Sequence, residues 1–210
     1  PVDNGMGVRD VIVNPKQPKT AHVIVSQGFG GYIASTRDGG NSWAKTSKMK
    51  ADNVYNPTLP GNGATAGMSG LENISLSPAN PDRIHMAGNW NPCMSYDGAK
   101  TWVESVRGAD ITCFHDIRHL GETTYGAAMD EGSFATYNRG ETWKALFPLK
   151  WQAGLSGHHW RILPQKLKDG RVRIISTVSP WAHGRDFPVK VIGSEDGGKT
   201  FTEAKGLPEY

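Results

Sequence analysis

At 210 residues with a net charge of +3, 37% hydrophobic and 9% aromatic, the chain has the apolar material for a sizeable core. Its charge is too balanced for a nucleic-acid backbone or an acidic membrane to be its main partner. No apolar run approaches the ~18 residues of a membrane span, and Pro1 to Gly5 resemble neither a signal peptide nor a translation start, so a processed or partial piece of a longer polypeptide is expected.

Glycine at 26 and proline at 13 suit many short strands joined by tight turns, which makes all-β the expected class. Alternating and β-branched runs divide the chain into four groups of four strands, A to D. In the first group, residues 7–47, A lies near Val8 to Val13, B near His22 to Ser26, C near Tyr32 to Thr36 and D near Ser42 to Thr46. The second, 67–105, uses Leu71 to Leu76, Arg83 to Ala87, Cys93 to Ser95 and Thr101 to Glu104. The third, 112–147, uses Phe114 to His119, Thr123 to Met129, Phe134 to Tyr137 and Thr142 to Leu146. The fourth, 157–205, uses His159 to Pro164, Val172 to Val178, Val189 to Ser194 and Thr200 to Glu203.

Between C and D of every group stands the same octapeptide: Thr36 to Trp43, Ser95 to Trp102, Thr136 to Trp143 and Ser194 to Phe201. Each keeps a hydroxyl two residues before an acid or amide (Asp38, Asp97, Asn138, Asp196), another four after it, and an aromatic five after it. A hairpin turn explains the whole pattern, since the acid or amide accepts turn amides, glycine supplies positive φ and the ring docks in the core. These four side chains are therefore read as structural, not as catalytic or calcium-binding groups.

On these octapeptides the chain resembles the Asp-box (BNR) repeat of sialidase-like β-propellers. The segments Val8 to Pro15 and Leu71 to Pro81 are closest in style to xyloglucanase-type and sortilin-type repeats. The resemblance implies an arc of four blades from a propeller of six to ten, seven favoured, completed by the same polypeptide or by a partner chain. It also implies A strands around a central channel, with D-to-A and B-to-C loops on the face opposite the octapeptides. The long insertions Met49 to Ala66 and Ser179 to Pro188 fall on that loop face, carrying Tyr55, Trp181, His183 and Arg185, and Trp90 joins them.

Aligning the A strands on Val11, Ile74, Ile117 and Ile162 leaves two polar or aromatic residues upstream in each: Arg9 and Asp10, Glu72 and Asn73, His115 and Asp116, Trp160 and Arg161. Strict alternation would aim one of each pair at the channel, and Asp10, Asn73, Asp116 and Arg161 form the more uniformly polar column. Arg suits carboxylates and hydroxyls, Trp stacks on sugar rings, and Asp10, Glu72 and Asp116 are the candidate acid/base residues of a glycosidase. The competing reading is a buried network tying blades together. Trp160-Arg161-Ile162-Leu163-Pro164 is similar to the Phe/Tyr-Arg-Ile-Pro stretch of sialidases, with Leu163 an insertion, and no family catalytic motif aligns residue by residue.

The expectation is thus an extracellular or periplasmic carbohydrate-active propeller, hydrolase or lyase, binding a carbohydrate ligand opposite the octapeptides. The alternative is a non-catalytic binding module or scaffold. No cofactor, metal, nucleic acid or membrane span is expected. His115, His159 and His183 converging at the channel mouth would suit a lyase base or a metal site, Lys45, Lys48 and Lys50 form a solvated strand edge, and Asn73-Ile74-Ser75 is a glycosylation sequon discounted for lying in an inner strand. Cys93 and Cys113 are placed for a disulfide between adjacent blades or stand as idle thiols.

Overall fold

The computed structural model describes residues 7–27, 30–46, 71–88, 92–109, 113–129, 132–146, 158–179 and 189–206. They form sixteen strands in four antiparallel meanders, with no helix among the described residues. The first sheet holds β1 (Gly7–Val13), β2 (Ala21–Gln27), β3 (Gly30–Thr36) and β4 (Ala44–Lys45). The second holds β5 (Asn73–Leu76), β6 (Ile84–Ala87), β7 (Cys93–Ser95) and β8 (Val103–Glu104). The third comprises β9 (Phe114–Leu120), β10 (Thr123–Ala128), β11 (Gly132–Thr136) and β12 (Lys144–Ala145), and the fourth β13 (His158–Lys166), β14 (Val172–Ser179), β15 (Lys190–Ser194) and β16 (Thr202–Glu203).

The innermost strands β1, β5, β9 and β13 succeed one another as neighbours, so the sheets stand side by side as blades of an arc. Three apolar seams fill the gaps. Ile24 and Ile33 meet Ile74, Met86 and Trp102; Ala87 meets Phe114, Ile117 and Trp143; Tyr125, Ala135 and Leu146 meet Ile162, Ile174 and Phe201.

The octapeptides account for the shortness of the outer strands. Asp38 Oδ1 accepts the Ser42 amide (3.0 Å) and its Oδ2 the Ser42 hydroxyl (2.6 Å); Asp97 holds Thr101 and Asp196 holds Thr200 in the same way. Asn138 accepts the Thr142 amide (3.0 Å) and donates to its hydroxyl (2.8 Å). Residues expected to open strand D are therefore held in the turn, and β4, β8, β12 and β16 shrink to two residues each. The hydroxyls and amides around Asp38 and Asp196 hold both carboxyls well below the usual carboxylate range.

Two successive residues in each turn are left-handed: Gly39 and Gly40, Gly98 and Ala99, Arg139 and Gly140, Gly197 and Gly198. The turns share a face with the A-to-B connections, since Gly39 N donates to Lys19 O, Gly98 N to Asp82 O and Gly197 N to Val172 O. The inner strands thus begin on the opposite face.

The second, third and fourth octapeptides also bind the preceding blade. Trp102 Nε1 donates to Thr46 O (2.8 Å), Trp143 Nε1 to Ser105 O (2.6 Å), and Phe201 packs with Leu146. Gly40 and Gly140 occupy the same turn position with φ of 96° and 90°, yet a Cβ at Gly40 meets only Trp43, whereas one at Gly140 would fall 2.3 Å from Met94 Sδ and 2.7 Å from His85 Nε2 of the second blade. Gly40→Ala is expected to cost about 1–2 kcal/mol of left-handed strain. Gly140→Ala should lose a further ~1–3 kcal/mol to overpacking, read as the difference between their chemical-denaturation midpoints.

Candidate functional site

The polar positions of the inner strands separate into two columns with different tasks. In the first, each side chain reaches a backbone amide of the next blade. Asp10 Oδ2 accepts from Asn73 Nδ2 (2.6 Å) and Ile74 N (3.0 Å), Asn73 Oδ1 accepts from Ile117 N (2.9 Å), and Asp116 Oδ2 accepts from Ile162 N (3.0 Å). Asp116 Oδ1 is further engaged by its own following amide and by Arg118 at 3.0 Å. Asn73 and Asp116 are buried. Arg161 breaks the series: its Nη1 turns back to His115 O (3.0 Å) and Trp160 O (2.9 Å). Three members of the more uniformly polar column, Asp10, Asn73 and Asp116, are thus interblade staples, and the Asn73 amide nitrogen of the sequon is already committed.

The second column is Arg9, Glu72, His115 and Trp160. The ladder slips between Val8 and Asp10 in β1, between Phe114 and Asp116 in β9, and between His159 and Arg161 in β13. Arg9, His115 and Trp160 are therefore bulge residues. At β5, both the Glu72 amide and Asn73 are matched to Ala87, the same doubling. Strict alternation fails here because a bulge inserts one unpaired residue and re-aims its side chain. The bulge residues of the third and fourth blades meet, with the His115 and Trp160 rings 4.5 Å apart and tilted by 42°, and His158 next to Trp160 at 6.5 Å. Trp160 is half-buried and its Nε1–H has no hydrogen-bond partner among the described residues, while Glu72, also half-buried, carries no ion pair or side-chain hydrogen bond there. Arg9 is exposed.

Among the described residues no three His, Cys, Asp or Glu side chains cluster as metal ligands. Tyr55, Trp90, Trp181, His183 and Arg185 lie outside the described residues, as do Lys48 and Lys50; Lys45 sits in β4 with Nζ 4.1 Å from the Tyr32 ring centre. Cys93 and Cys113 form no disulfide, and burial pushes the Cys93 thiol up.

The histidines form seams. His85 Nδ1 faces His119 Nε2 across the second and third blades at 3.2 Å, and Thr124 Oγ1 meets His119 Nδ1 at 3.0 Å. His22 Nδ1 bonds Ser35 Oγ (2.7 Å), and His159 Nδ1 bonds Ser133 Oγ (2.7 Å) and Ser176 Oγ (3.1 Å) rather than joining His115. Nothing in the local sequence around His119 signals that it meets His85 on another sheet.

No protein-family model and no curated protein matches the chain. Solved structures do. A GH74 enzyme from Niastella koreensis aligns over 94% of this chain and 30% of its own at 15% identity and TM-score 0.64, and the GH74 xyloglucanase from Xanthomonas campestris over 94% and 30% at 15% and 0.65. YCF48 from Cyanidioschyzon merolae aligns over 99% and 59% at 18% and 0.59. The chain is part of a β-propeller. It spans under a third of those GH74 enzymes and about three-fifths of that YCF48 chain.

Asp116→Ala strands the Ile162 amide and should cost about 1–3 kcal/mol, whereas Asp116→Asn keeps an acceptor and should recover most of it in urea denaturation. Burial is the chief cause that raises the Asp116 pKa, so Asn also removes a charge that the site holds at a cost.

Burial lowers His22 and His159 to about 4 and His119 to about 3, and holds His85 well below the ordinary value. The unfolded chain takes up these protons below pH ~6.5 and the native state does not. Stability present above pH 6.5 should therefore be lost as pH falls through the folded values, at up to about 1.4 kcal/mol per pH unit for each histidine. Denaturation at stepped pH measures it, and a flat profile between pH 6.5 and 4.5 would contradict the neutral seams.

Proposed function

We propose that this chain is a sector of a carbohydrate-active propeller whose sugar ligand crosses the face opposite the octapeptides, over Arg9, Glu72, His115 and Trp160. The observation that carries the reading is the bulge recurring at one place in the inner strands. It takes one residue per blade out of the pleat just where those strands begin, and such bulges concentrate beside active sites.

The residues so presented have sugar-binding chemistry. The half-buried Trp160 ring offers a stacking plane, while its indole N–H, itself buried, has no hydrogen-bond partner among the described residues. Arg9 supplies donors for hydroxyl or carboxylate groups. Glu72 is the one carboxylate of the two columns not spent on backbone amides, so an acid/base role, if the assembled propeller cleaves its ligand, falls to Glu72 before Asp10 or Asp116. A solved relative is a xyloglucanase, which makes β-glucan and xyloglucan oligosaccharides the probes of choice. An extracellular or periplasmic setting belongs to the same proposal and, with no disulfide between Cys93 and Cys113, rests on the ligand chemistry.

A non-catalytic binding propeller is the second reading, favoured by Asp10 and Asp116 serving as staples. Calorimetric titration with xyloglucan and cello-oligosaccharides, paired with a reducing-sugar release assay, separates the two. Trp160→Ala should weaken binding at least tenfold, about 1.4 kcal/mol, and Trp160→Phe should keep most of it. Glu72→Gln should abolish release while sparing binding in the hydrolytic reading, and binding without release selects the module. Wild-type protein that neither binds nor cleaves across the panel removes the carbohydrate assignment.

A further inference from the structure

Trp160 is restrained on both sides along the chain. His158 Nδ1 donates to Met129 O (2.5 Å) and His159 Nδ1 meets Ser133 Oγ (2.7 Å), so the two residues before Trp160 are tied to the third blade. On the other side Ser176 Oγ donates to Arg161 O (2.9 Å) and meets His159 Nδ1 (3.1 Å), which fastens both flanks of the bulge to β14.

The Arg161 side chain completes the arrangement. Asp10, Asn73 and Asp116 each reach forward to an amide of the next inner strand, whereas Nη1 of Arg161 reaches back to His115 O (3.0 Å) on the third blade and to Trp160 O (2.9 Å) on its own. Those two carbonyls belong to the bulge residues. β9 matches Phe114 and Asp116 to Ala128 and Ala127, and β13 matches His159 and Arg161 to Val178 and Thr177, which leaves His115 and Trp160 outside the ladder register.

A residue ejected from the ladder no longer has its peptide oriented by strand pairing, so its ring can pivot unless another donor takes the carbonyl. Nη1 carries two protons and takes both carbonyls at once, with a charge-assisted bond to each. The rings borne by these peptides lie 4.5 Å apart, at stacking distance, tilted by 42°. One guanidinium nitrogen thus sets the relation between two bulges on different blades.

We propose that Arg161 is a positioning residue of the sugar face, holding the His115 and Trp160 peptides together so that the indole is presented at one angle before a ligand arrives. The sugar as ligand rests on the carbohydrate reading; the placement of the ring rests on the hydrogen bonds alone. Preorganisation of this kind lowers the ordering cost of binding. Because a single nitrogen serves both carbonyls, a lysine ammonium can stand in for it, whereas methionine of similar length offers no donor.

Fluorine NMR of the protein labelled with 5-fluorotryptophan reads the ring directly. The chain has seven tryptophans, and the Trp160 signal is the one lost in Trp160→Phe. In sugar-free Arg161→Met that signal should shift or broaden while the others keep their places. Calorimetric affinity for xyloglucan oligosaccharides should fall about two- to tenfold, the ordering cost of one side chain. Arg161→Lys should restore both readouts. Ser176→Ala, which releases the Arg161 carbonyl, should move the same signal and decides the matter should Arg161→Met fail to fold. A Trp160 signal that stays in place in Arg161→Met, or that Arg161→Lys leaves displaced, overturns the proposal. So does affinity lost with the signal unmoved, which would make Arg161 a direct ligand contact. A wild type that binds no oligosaccharide removes the carbohydrate reading, and the fluorine signal then still decides whether Arg161 places Trp160.

Discussion

A four-stranded meander has two faces and cannot cover either by itself, and this constraint organises the whole chain. Each blade is stable only with a neighbour on it, and the neighbour is engaged in two ways at once. The octapeptide aromatic seals the outer part of the seam, as Trp102 does against Ile33 and Trp143 does beside Phe114. An acid or amide on the inner strand closes the channel side by accepting an amide of the next inner strand, which would otherwise be a buried unpaired donor costing about 1–3 kcal/mol. Apolar and polar ties thus sit at opposite radial ends of the same interface, which fixes both the spacing and the rotation of one blade against the next.

The octapeptides were fully legible because their pattern is local: an acid or amide, the hydroxyl four residues on and two left-handed positions make one turn whatever surrounds it. The sixteen strands followed from alternation for the same reason, and the outer strands came out short because the turn retains Ser42, Thr101, Thr142 and Thr200. The inner column was harder. Asp10, Glu72 and Asp116 look alike in sequence, yet two of them accept amides from another blade and one does not. That distinction depends on which residue the bulge ejects. A bulge carries no residue signature here, since Arg9, Glu72, His115 and Trp160 share neither size nor charge. The nearest available signal was the doubling itself, two polar or aromatic residues before each apolar centre where plain alternation wants one.

The seam histidines show the same limit from another side. His85 lies on an outer-facing partner of β5 and His119 on β9, thirty-four residues apart, and their contact exists only because the second and third sheets stack. Nothing in either local sequence announces it. The consequence is physical all the same: neutral imidazoles in a seam make the arc tolerant of neutral and basic solution and sensitive to acid.

In the proposed carbohydrate reading, the bulge also separates stability from ligand binding. A side chain that accepts a neighbouring amide cannot at the same time be offered to a ligand without releasing that amide, so one column cannot serve both purposes. Inserting a single residue upstream gives each inner strand a second, independent position at the channel mouth, leaving the staple intact. Chemistry there can vary blade by blade, a cation in the first, an acid in the second, an imidazole in the third and an indole in the fourth, while the interface beneath keeps its acceptor. Among these four blades only the fourth gives up that acceptor, at Arg161.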